Sequence, residues 1–242
     1  MTVNAKDIEF LGFDVFGTVV DWRTGVARAS EPFLRKYHLD VDPFLFADEW
    51  RSLYQPAMEE VRTGRRGWVK LGVLNRENLE AVLAKHNAEL SAIPPAELDT
   101  LNAAWEKLDP WPDTVEGLNR LKKRFFLGTL SNSHIAGMVT LARFAHLPWD
   151  AILGAELARN YKPRPETYLV SADAAGVKPS QFALVAAHND DLLAAKEAGL
   201  KTIFVFRRTE HGPSQSIDLS AEHDWDYVAE DMIDLANILN CP

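Results

Sequence analysis

Residues 8–18 read IEFLGFDVFGT. Ile8 to Phe13 is apolar at almost every position, which is typical of a parallel strand covered on both faces. The run ends in Asp14, and Gly17 follows at a position that suits a tight turn. A buried parallel strand that ends in a carboxylate predicts an α/β protein with a polar group at the edge of its sheet.

The second half of the chain continues this pattern, because short apolar runs alternate there with stretches of helical periodicity. Such alternation predicts βαβ units and a parallel sheet. Apolar residues at helical spacing lie between the runs, and Gly199 is predicted to stop one of these helices. The predicted strands after the first are 125–130, 151–153, 182–187, 201–206 and 227–229.

The segment between the first two strands lacks strand signals and reads as a helical bundle. Its apolar periodicity predicts helices over 26–37, 46–61, 79–86 and 98–108. Pro32 is expected to kink or divide the first of them. We therefore predict an inserted helical bundle at residues 22–109.

The rest of the chain, residues 1–21 and 110–242, is predicted to form one α/β core. The turn-rich sequence DPWPDT at 109–114 marks the return of the chain to that core. Hinges near Asp21-Trp22 and Pro110-Pro112 would let the bundle open for substrate and close again.

Composition excludes several classes of protein. The 242 residues carry a net charge of −9, which disfavours binding to nucleic acids and to anionic membranes. Lys6, Asp7 and Glu9 stand where a signal peptide would be apolar, which favours a cytoplasmic protein. The lone Cys241 can form no intramolecular disulfide, and we expect it to lie on a frayed end, where a nucleophilic role is unfavourable.

Polar side chains follow four of the predicted strands. In parallel sheets ligands bind beyond the carboxyl ends of the strands, so these side chains could converge on one crevice. Taken singly, each has a simpler explanation as a turn cap, a helix cap, a solvated loop residue or a first-turn acid. The residues are Asp14, Ser131, Asn132, Lys162, Asp190 and Asp191.

Four sequence motifs carry a family resemblance: DVFGT, LSNS, YKPRPETY and AAHNDDL, in this order. They resemble the motifs of the haloacid dehalogenase superfamily over nearly the whole chain. The resemblance implies a Rossmann-like parallel-sheet core with an α-helical cap inserted after the first motif. Within the superfamily, the chain is similar to the type II 2-haloacid dehalogenases rather than to the phosphatases.

Three positions support the dehalogenase resemblance. Phe16 stands where superfamily phosphatases have the acid that protonates the leaving alkoxide, which a halide does not need. Ala187 lies four residues before Asp191, where phosphatases have a second acid for magnesium. Trp22 follows the first motif, where these dehalogenases have apolar groups, although it could equally be a hinge or packing residue.

The resemblance implies a catalytic role for four residues. Asp14 matches the nucleophile, which attacks C2 of a 2-haloacid and forms an aspartyl ester that water hydrolyses. Thr18 would orient Asp14, and Lys162 would hold it ionised. Asp191 matches the acid that positions Lys162 and helps to activate the water.

Further residues are implied to bind substrate. Ser131 and the following amides would hold the substrate carboxylate, Asn132 would help to receive the halide, and Tyr168 would brace the site. His188 stands where many members have Asn, and Ala186 where many have Ser. A histidine there could donate to the halide or the water, or it could be a structural residue.

The cap arginine that many members use for the departing halide has no obvious match. An ungapped count places it at Leu45. Helical surface arginines are usually solvated, which leaves the assignment open. The arginines nearby are Arg51, Arg62, Arg65 and Arg66.

The predicted function is hydrolysis of small (S)-2-haloalkanoic acids to 2-hydroxy acids, with no metal and no cofactor. The predicted partners are a small anionic substrate and a halide, and the apolar cap would allow a homodimer. A compact, strongly donating halide pocket would suit fluoride, so fluoroacetate is a further hypothesis. The alternatives are a phosphatase of the same superfamily and a non-catalytic binding protein.

Overall fold

A computed structural model describes residues 7–242, so Lys6 and the first six residues of the predicted core lie outside the described part. Its centre is a six-stranded, all-parallel sheet with the order β3-β2-β1-β4-β5-β6. The sheet confirms the predicted α/β class. The strands are β1 Phe10–Phe13, β2 Phe126–Ser131, β3 Ala151–Gly154, β4 Phe182–Ala186, β5 Lys201–Val205 and β6 Tyr227–Ala229.

Five α-helices lie in the segment 22–109, which is inserted between β1 and β2. They are α1 Trp22–Lys36, α2 Pro43–Ser52, α3 Tyr54–Arg62, α4 Leu71–Lys85 and α5 Pro95–Asn102. The remaining helices connect or follow the later strands. They are α6 Thr114–Leu121, α7 Ile135–Phe144, α8 Ala155–Ala158, α9 Pro165–Ala174, α10 Asn189–Glu197 and α11 Met232–Ile238. Short 3₁₀ turns lie at Leu90–Ala92, Ala103–Glu106 and Pro179–Gln181.

The strand order places the crevice of the sheet at β1. Phe13, the last residue of β1, pairs with Thr129 of β2 on one side and with Val185 of β4 on the other. The order of the strands reverses at this point, and such switch points form ligand crevices at the carboxyl ends. The loops that follow β1, β2 and β4 therefore meet above the same edge.

The helical segment differs from prediction in two places. Helix α1 runs unbroken through Pro32, so the predicted division there is wrong; buried residues along α1 pack on α2 and outweigh the lost hydrogen bond. The single helix predicted over 46–61 is also wrong, because the chain breaks at Leu53 between α2 and α3. Pro56 has no N–H to donate to Ser52, which explains the break.

Two other helices have different bounds from those predicted. Helix α4 begins at Leu71 rather than near Leu79. The predicted helix over 98–108 is a shorter α5 followed by a 3₁₀ turn at Ala103–Glu106. Both changes leave the segment helical.

The C-terminal end is packed against the core, so the expectation of a frayed end is wrong. Cys241 is buried, and its backbone N–H donates to the carbonyl oxygen of Ala236. Arg120 of α6 donates to the carbonyl oxygen of Cys241. Across residues 7–242, no helix combines the length and apolar character that crossing a membrane requires.

Candidate active site

Asp14 follows β1 directly and lies nearly buried at the floor of the crevice. Its Oδ2 accepts hydrogen bonds from the Thr18 hydroxyl at 2.8 Å and faces His188 Nδ1 at 3.2 Å. Its Oδ1 accepts from Lys162 Nζ at 3.0 Å. Two donors therefore surround one oxygen of the carboxylate, while the other has one donor and a free lone pair.

Lys162 lies between two carboxylates. Its buried ammonium donates to Asp14 and to Asp191 Oδ2. Asp191 lies in the first turn of α10, and its other oxygen accepts from the Tyr168 hydroxyl at 2.7 Å. The structure thus brings together four of the residues predicted from the motifs, although they lie up to 177 positions apart (191 − 14) in the chain.

Burial and the neighbouring charges shift the pKa values of the two carboxyl groups in opposite directions. Burial alone would raise the pKa of Asp14, but Lys162 and His188 outweigh it and hold that pKa well below its usual range. Burial raises the pKa of Asp191; Lys162 opposes this rise and the Asp14 charge adds to it. Two carboxylates whose pKa values are pushed apart can act as a nucleophile and a base.

A second ion pair lies on the other side of Asp14. His188 Nε2 faces Glu210 Oε2 at 2.9 Å, and the Trp22 indole N–H donates to Glu210 Oε1 at 2.9 Å. Glu210 is only 1% exposed. Burial would raise the pKa of Glu210, but the His188 charge lowers it. The sequence reasoning missed Glu210, because it lies in a polar loop after β5 without a motif.

Gly17 makes room for this pair. Its φ of +90° is in the region that favours glycine. A Cβ atom at this position would lie 2.0 Å from Glu210 Oε1. The glycine of the first motif therefore serves both the turn after β1 and the placement of the Glu210 carboxylate.

Thr18 joins two elements of the site. Its buried hydroxyl donates to Asp14 and accepts from the backbone N–H of Ala187 at 2.9 Å. It therefore fixes the end of β1 to the residue after β4. The signal for this role was the position of Thr18 in the first motif.

Ser131 is the last residue of β2 and Asn132 follows it, but the two side chains differ in their contacts. Asn132 lines the cavity, and its side-chain oxygen accepts from the backbone N–H of Lys162 at 2.8 Å. The Ser131 hydroxyl accepts from the Ser133 backbone N–H at 3.1 Å, and Ser131 is not among the residues that line the cavity. The predicted contact between Ser131 and a substrate carboxylate stays a prediction.

Above Asp14 lies a cavity of about 490 Å³, which is large enough for a small organic acid. The chain segments that line it come from both the helical insertion and the sheet. Its lining includes Asp14, Phe16, Arg51, Tyr54, Asn132, Lys162, Tyr168, His188, Asp190, Asp191, Glu210, His211, Asp218 and Glu222.

Arg51 brings a positive charge to this cavity from α2. Its Cζ lies 4.0 Å from the centre of the Tyr54 ring, 5.3 Å from Trp22 and 5.9 Å from Trp105. Among the described residues, its buried Nη1 has no hydrogen-bond partner. Arg51, one of the four arginines among which the sequence left the cap arginine open, is therefore not simply solvated. A cation caged by aromatic rings, with a free donor, is suited to hold an anion.

Two other predicted residues form the apolar wall beside Arg51. Phe16 is buried and meets Trp105 edge-on, with ring centres 5.6 Å apart. Trp22 stacks on Trp105 at 6.0 Å and does not line the cavity itself. Trp22 acts on the site through Glu210 and through the ring face that it presents to Arg51.

Arg62 links the helical insertion to the loop that carries Lys162. Its Nη1 donates to the Lys162 carbonyl oxygen at 2.7 Å, and Arg164 donates back to the Arg62 carbonyl oxygen. Arg62 is therefore held in place and not solvated. Arg65 and Arg66 form exposed ion pairs with Glu60 and Glu77, as expected of surface arginines.

A family profile described as haloacid dehalogenase-like hydrolase matches residues 8–199. The chain belongs to the haloacid dehalogenase-like hydrolases. The matched residues include all four motifs. The inserted helices follow the first motif, where the resemblance of the chain to this family implies a cap. The predicted Rossmann-like core with an inserted helical cap is thereby confirmed.

Individual haloacid dehalogenase-like hydrolases resemble the chain over most of its length. The solved structure of a defluorinating L-2-haloacid dehalogenase is 44% identical, with a TM-score of 0.95 over 97% of this chain and 96% of that one. An (S)-2-haloacid dehalogenase 4A from Burkholderia cepacia is 25% identical over 199 residues, 81% of this chain and 82% of the relative. The predicted resemblance to 2-haloacid dehalogenases is confirmed.

Phosphatases are also among the relatives. A phosphoglycolate phosphatase of Escherichia coli O157:H7 is 25% identical over 256 residues, 98% of this chain and 94% of the relative. This identity equals that of the Burkholderia cepacia dehalogenase but is well below the 44% of the solved dehalogenase structure. The chain is a hydrolase of the dehalogenase branch, and its substrate follows from the chemistry of the site.

Proposed function

We propose that this hydrolase removes halide from small 2-haloalkanoic acids and yields 2-hydroxy acids, with Asp14 as the nucleophile. The observation that carries the proposal is the ionised Asp14 carboxylate, which lies at the floor of a cavity beside the Lys162 ammonium. The low pKa of Asp14 keeps it nucleophilic over the whole physiological pH range.

In the first step, Oδ1 of Asp14 attacks C2 of the substrate. Oδ1 has a free lone pair, whereas Oδ2 already accepts from Thr18 and faces His188. The new Oδ1–C2 bond forms as the carbon–halogen bond breaks on the far side. The halide takes the bonding electrons, configuration at C2 inverts, and an aspartyl ester remains.

Arg51 takes the role of the cap arginine that the sequence left open. Its guanidinium lies in the wall of the cavity and has a free donor. A partly buried cation without a carboxylate partner is costly, and a departing halide supplies the missing negative charge. The aromatic rings around it exclude water, which strengthens this attraction.

In the second step, water hydrolyses the ester. Asp191, whose pKa is raised, accepts a proton from the water, and Tyr168 fixes its orientation. Attack at Cγ of Asp14 then releases the 2-hydroxy acid and restores the carboxylate.

Two features favour this reaction over phosphoryl transfer. Phe16 supplies no proton for an alkoxide leaving group, and a halide needs none. The Lys162 ammonium lies between Asp14 and Asp191, the two carboxylates that a magnesium ion would need, and Ala187 adds no oxygen ligand. We therefore propose that the reaction needs no metal.

The helical segment 22–109 is proposed to act as the closing cap, with the hinges that the sequence predicts. Arg51 and Tyr54 come from this segment, while Asp14 and Lys162 come from the core. Closure would bring the halide-binding cation over the nucleophile and limit the access of water.

Fluoroacetate is proposed as one of the substrates. The relative with 44% identity is described as defluorinating. The cation of Arg51 and its aromatic surroundings form a compact anion site, which suits a small, hard halide. Comparison of fluoride release from fluoroacetate with chloride release from chloroacetate tests this extension, and undetectable fluoride would refute it.

The decisive experiment measures halide release from (S)- and (R)-2-chloropropanoate with EDTA present. We expect release from the S form alone, at a rate that EDTA does not change. A single turnover in ¹⁸O-labelled water should place the label in Asp14. Phosphate release that depends on magnesium, without halide release, would support the phosphatase alternative instead.

A further inference from the structure

His188 lies between two carboxylates. Nδ1 faces Asp14 Oδ2 at 3.2 Å, and Nε2 faces Glu210 Oε2 at 2.9 Å. A neutral imidazole carries one N–H, so one of the carboxylates would then face a lone pair. Only the doubly protonated ring satisfies both. Burial lowers the pKa of His188, but Glu210 and Asp14 raise it well above its ordinary value.

The positions of the two ring nitrogens bear on the step that His188 serves. Each lies within 3.2 Å of a carboxylate oxygen, so a carboxylate and not a halide is the neighbour of each nitrogen. The halide leaves from the side of C2 opposite Asp14, whereas Nδ1 lies against Asp14 itself. This geometry favours a role at the carboxyl group of Asp14 over a role at the leaving group.

The ester intermediate places that carboxyl group in a new electronic state. When Oδ1 is bonded to C2, Oδ2 becomes the carbonyl oxygen of the ester. Addition of water to Cγ then moves negative charge onto Oδ2. The Thr18 hydroxyl already donates to this atom at 2.8 Å, and His188 Nδ1 lies 3.2 Å from it. Donors placed beforehand at an oxygen that gains charge are the elements of an oxyanion hole.

We propose that the His188 imidazolium is the charged oxyanion donor for hydrolysis of the aspartyl ester, and that Glu210 is the residue that positions it. This inference rests on the proposed function, because it needs an ester on Asp14. His188 is a catalytic residue in this scheme, since it touches a reacting oxygen. Glu210 acts only through His188.

The water oxygen bonds to Cγ, Asp191 accepts one water proton, and the carbonyl electron pair moves to Oδ2, where His188 donates to it. The pair then returns and breaks the bond between Cγ and Oδ1, which leaves with the product. The product oxygen takes the proton from Asp191, and the remaining water proton goes to solvent as Asp14 becomes a carboxylate.

Glu210 becomes most important in the intermediate. Esterification removes the negative charge of Asp14, which until then supports both Lys162 and His188. Asp191 remains as the partner of Lys162, and Glu210 remains as the partner of His188. Asp14 therefore lies between two ion pairs, and both pairs remain intact when Asp14 loses its negative charge.

Several contacts hold Glu210 in this position. The Trp22 indole donates to it, Gly17 leaves room for it, and His211 Nε2 lies 3.7 Å from its Oε1. Other charged groups share the cavity with His188 and contribute to its field. They are Lys162, Asp190, Asp191, Arg51, His211, Asp218 and Glu222.

Rapid-mixing kinetics of a His188→Gln variant test the proposal. Glutamine has a similar reach and no charge. We expect a normal first burst of one halide per site, followed by turnover about 100-fold slower, as for loss of one oxyanion donor. Mass spectrometry should find the ester on Asp14 accumulating. His146→Asn at an exposed left-handed position is the control, because asparagine tolerates that backbone.

A Glu210→Gln variant tests the positioning role through its pH profile. In the wild type, turnover should stay level through pH 6.5, the ordinary value of a histidine. In Glu210→Gln, the rate of ester hydrolysis should fall as pH rises through 6.5, because His188 loses its proton there. Glu230→Gln removes a carboxylate from an exposed pair and should keep the wild-type profile.

Two results would overturn the proposal. In the first result, the initial halide release of His188→Gln slows as much as its steady-state turnover, and no ester accumulates on Asp14. This result would place His188 in the first step. An unchanged pH profile in Glu210→Gln would remove the role of Glu210. A wild-type enzyme that releases halide without ever labelling Asp14, or releases none, would instead refute the proposed function on which the inference depends.

Discussion

Replacement of Thr18 by valine should destabilise the protein, although the side chain keeps nearly the same shape. The hydroxyl is fully buried, donates to Asp14 and accepts from the Ala187 backbone N–H. The stranded N–H costs about 1–3 kcal/mol, and the lost bond to a charged group costs about 1.5–3 kcal/mol. The added methyl group returns about 1 kcal/mol through apolar burial. We therefore expect a loss of about 1.5–5 kcal/mol in unfolding free energy.

Urea unfolding followed by circular dichroism measures this loss. Thr18→Ser is the matched control, because it keeps the hydroxyl and removes one methyl group, at a cost of about 1 kcal/mol. A loss of about 3 kcal/mol should also lower the melting temperature by roughly 6–12 °C. If valine and serine at position 18 gave the same stability within about 0.5 kcal/mol, the two hydroxyl contacts would contribute nothing and the reasoning would fail.

Three further predictions concern charges and the C-terminus. Arg51→Met should lower halide release at least 100-fold yet leave the melting temperature unchanged or higher, since it removes an unpaired cation; a large loss of stability would contradict this. Burial would raise the pKa of Asp113, but Arg207 lowers it. Asp113→Asn should cost about 3–5 kcal/mol in thermal unfolding at pH 7. The difference should begin to shrink as pH falls through 3.8, where Asp113 of the unfolded chain protonates, and vanish below the lowered pKa that Asp113 has in the folded protein; a difference that persists in strong acid would exclude this ion pair as the cause. Cys241 should react with a thiol reagent only on unfolding, and immediate labelling of the native protein would show an open end.

Part of the active site was accessible from the sequence because parallel strands share one edge. Asp14, Asn132 and Asp191 follow strands β1, β2 and β4, and the sheet itself brings them close. Lys162 and Tyr168 were found through the third motif, since they follow a loop rather than a strand directly. The strand pattern was sufficient for the first three residues, whereas Lys162 and Tyr168 also needed the family resemblance of that motif.

The remaining site residues could not be read from periodicity. Glu210 lies in a polar loop, and its contact with Trp22 joins residues 188 positions apart. Arg51 looks like any surface arginine of an amphipathic helix until the rings around it are placed by tertiary packing. The break before α3 was available in principle, because Pro56 cannot donate to the preceding turn.

The great separation of these contacts along the chain has a consequence for biosynthesis. Asp14 leaves the ribosome early, but its partner Lys162 follows 148 residues later, and Glu210 later still. Closing such long loops is slow, and local helices form well before them. A nascent chain therefore acquires its helices without acquiring a reactive centre. Recovery of activity after refolding should report the completion of the whole molecule, later than any spectroscopic sign of helix formation.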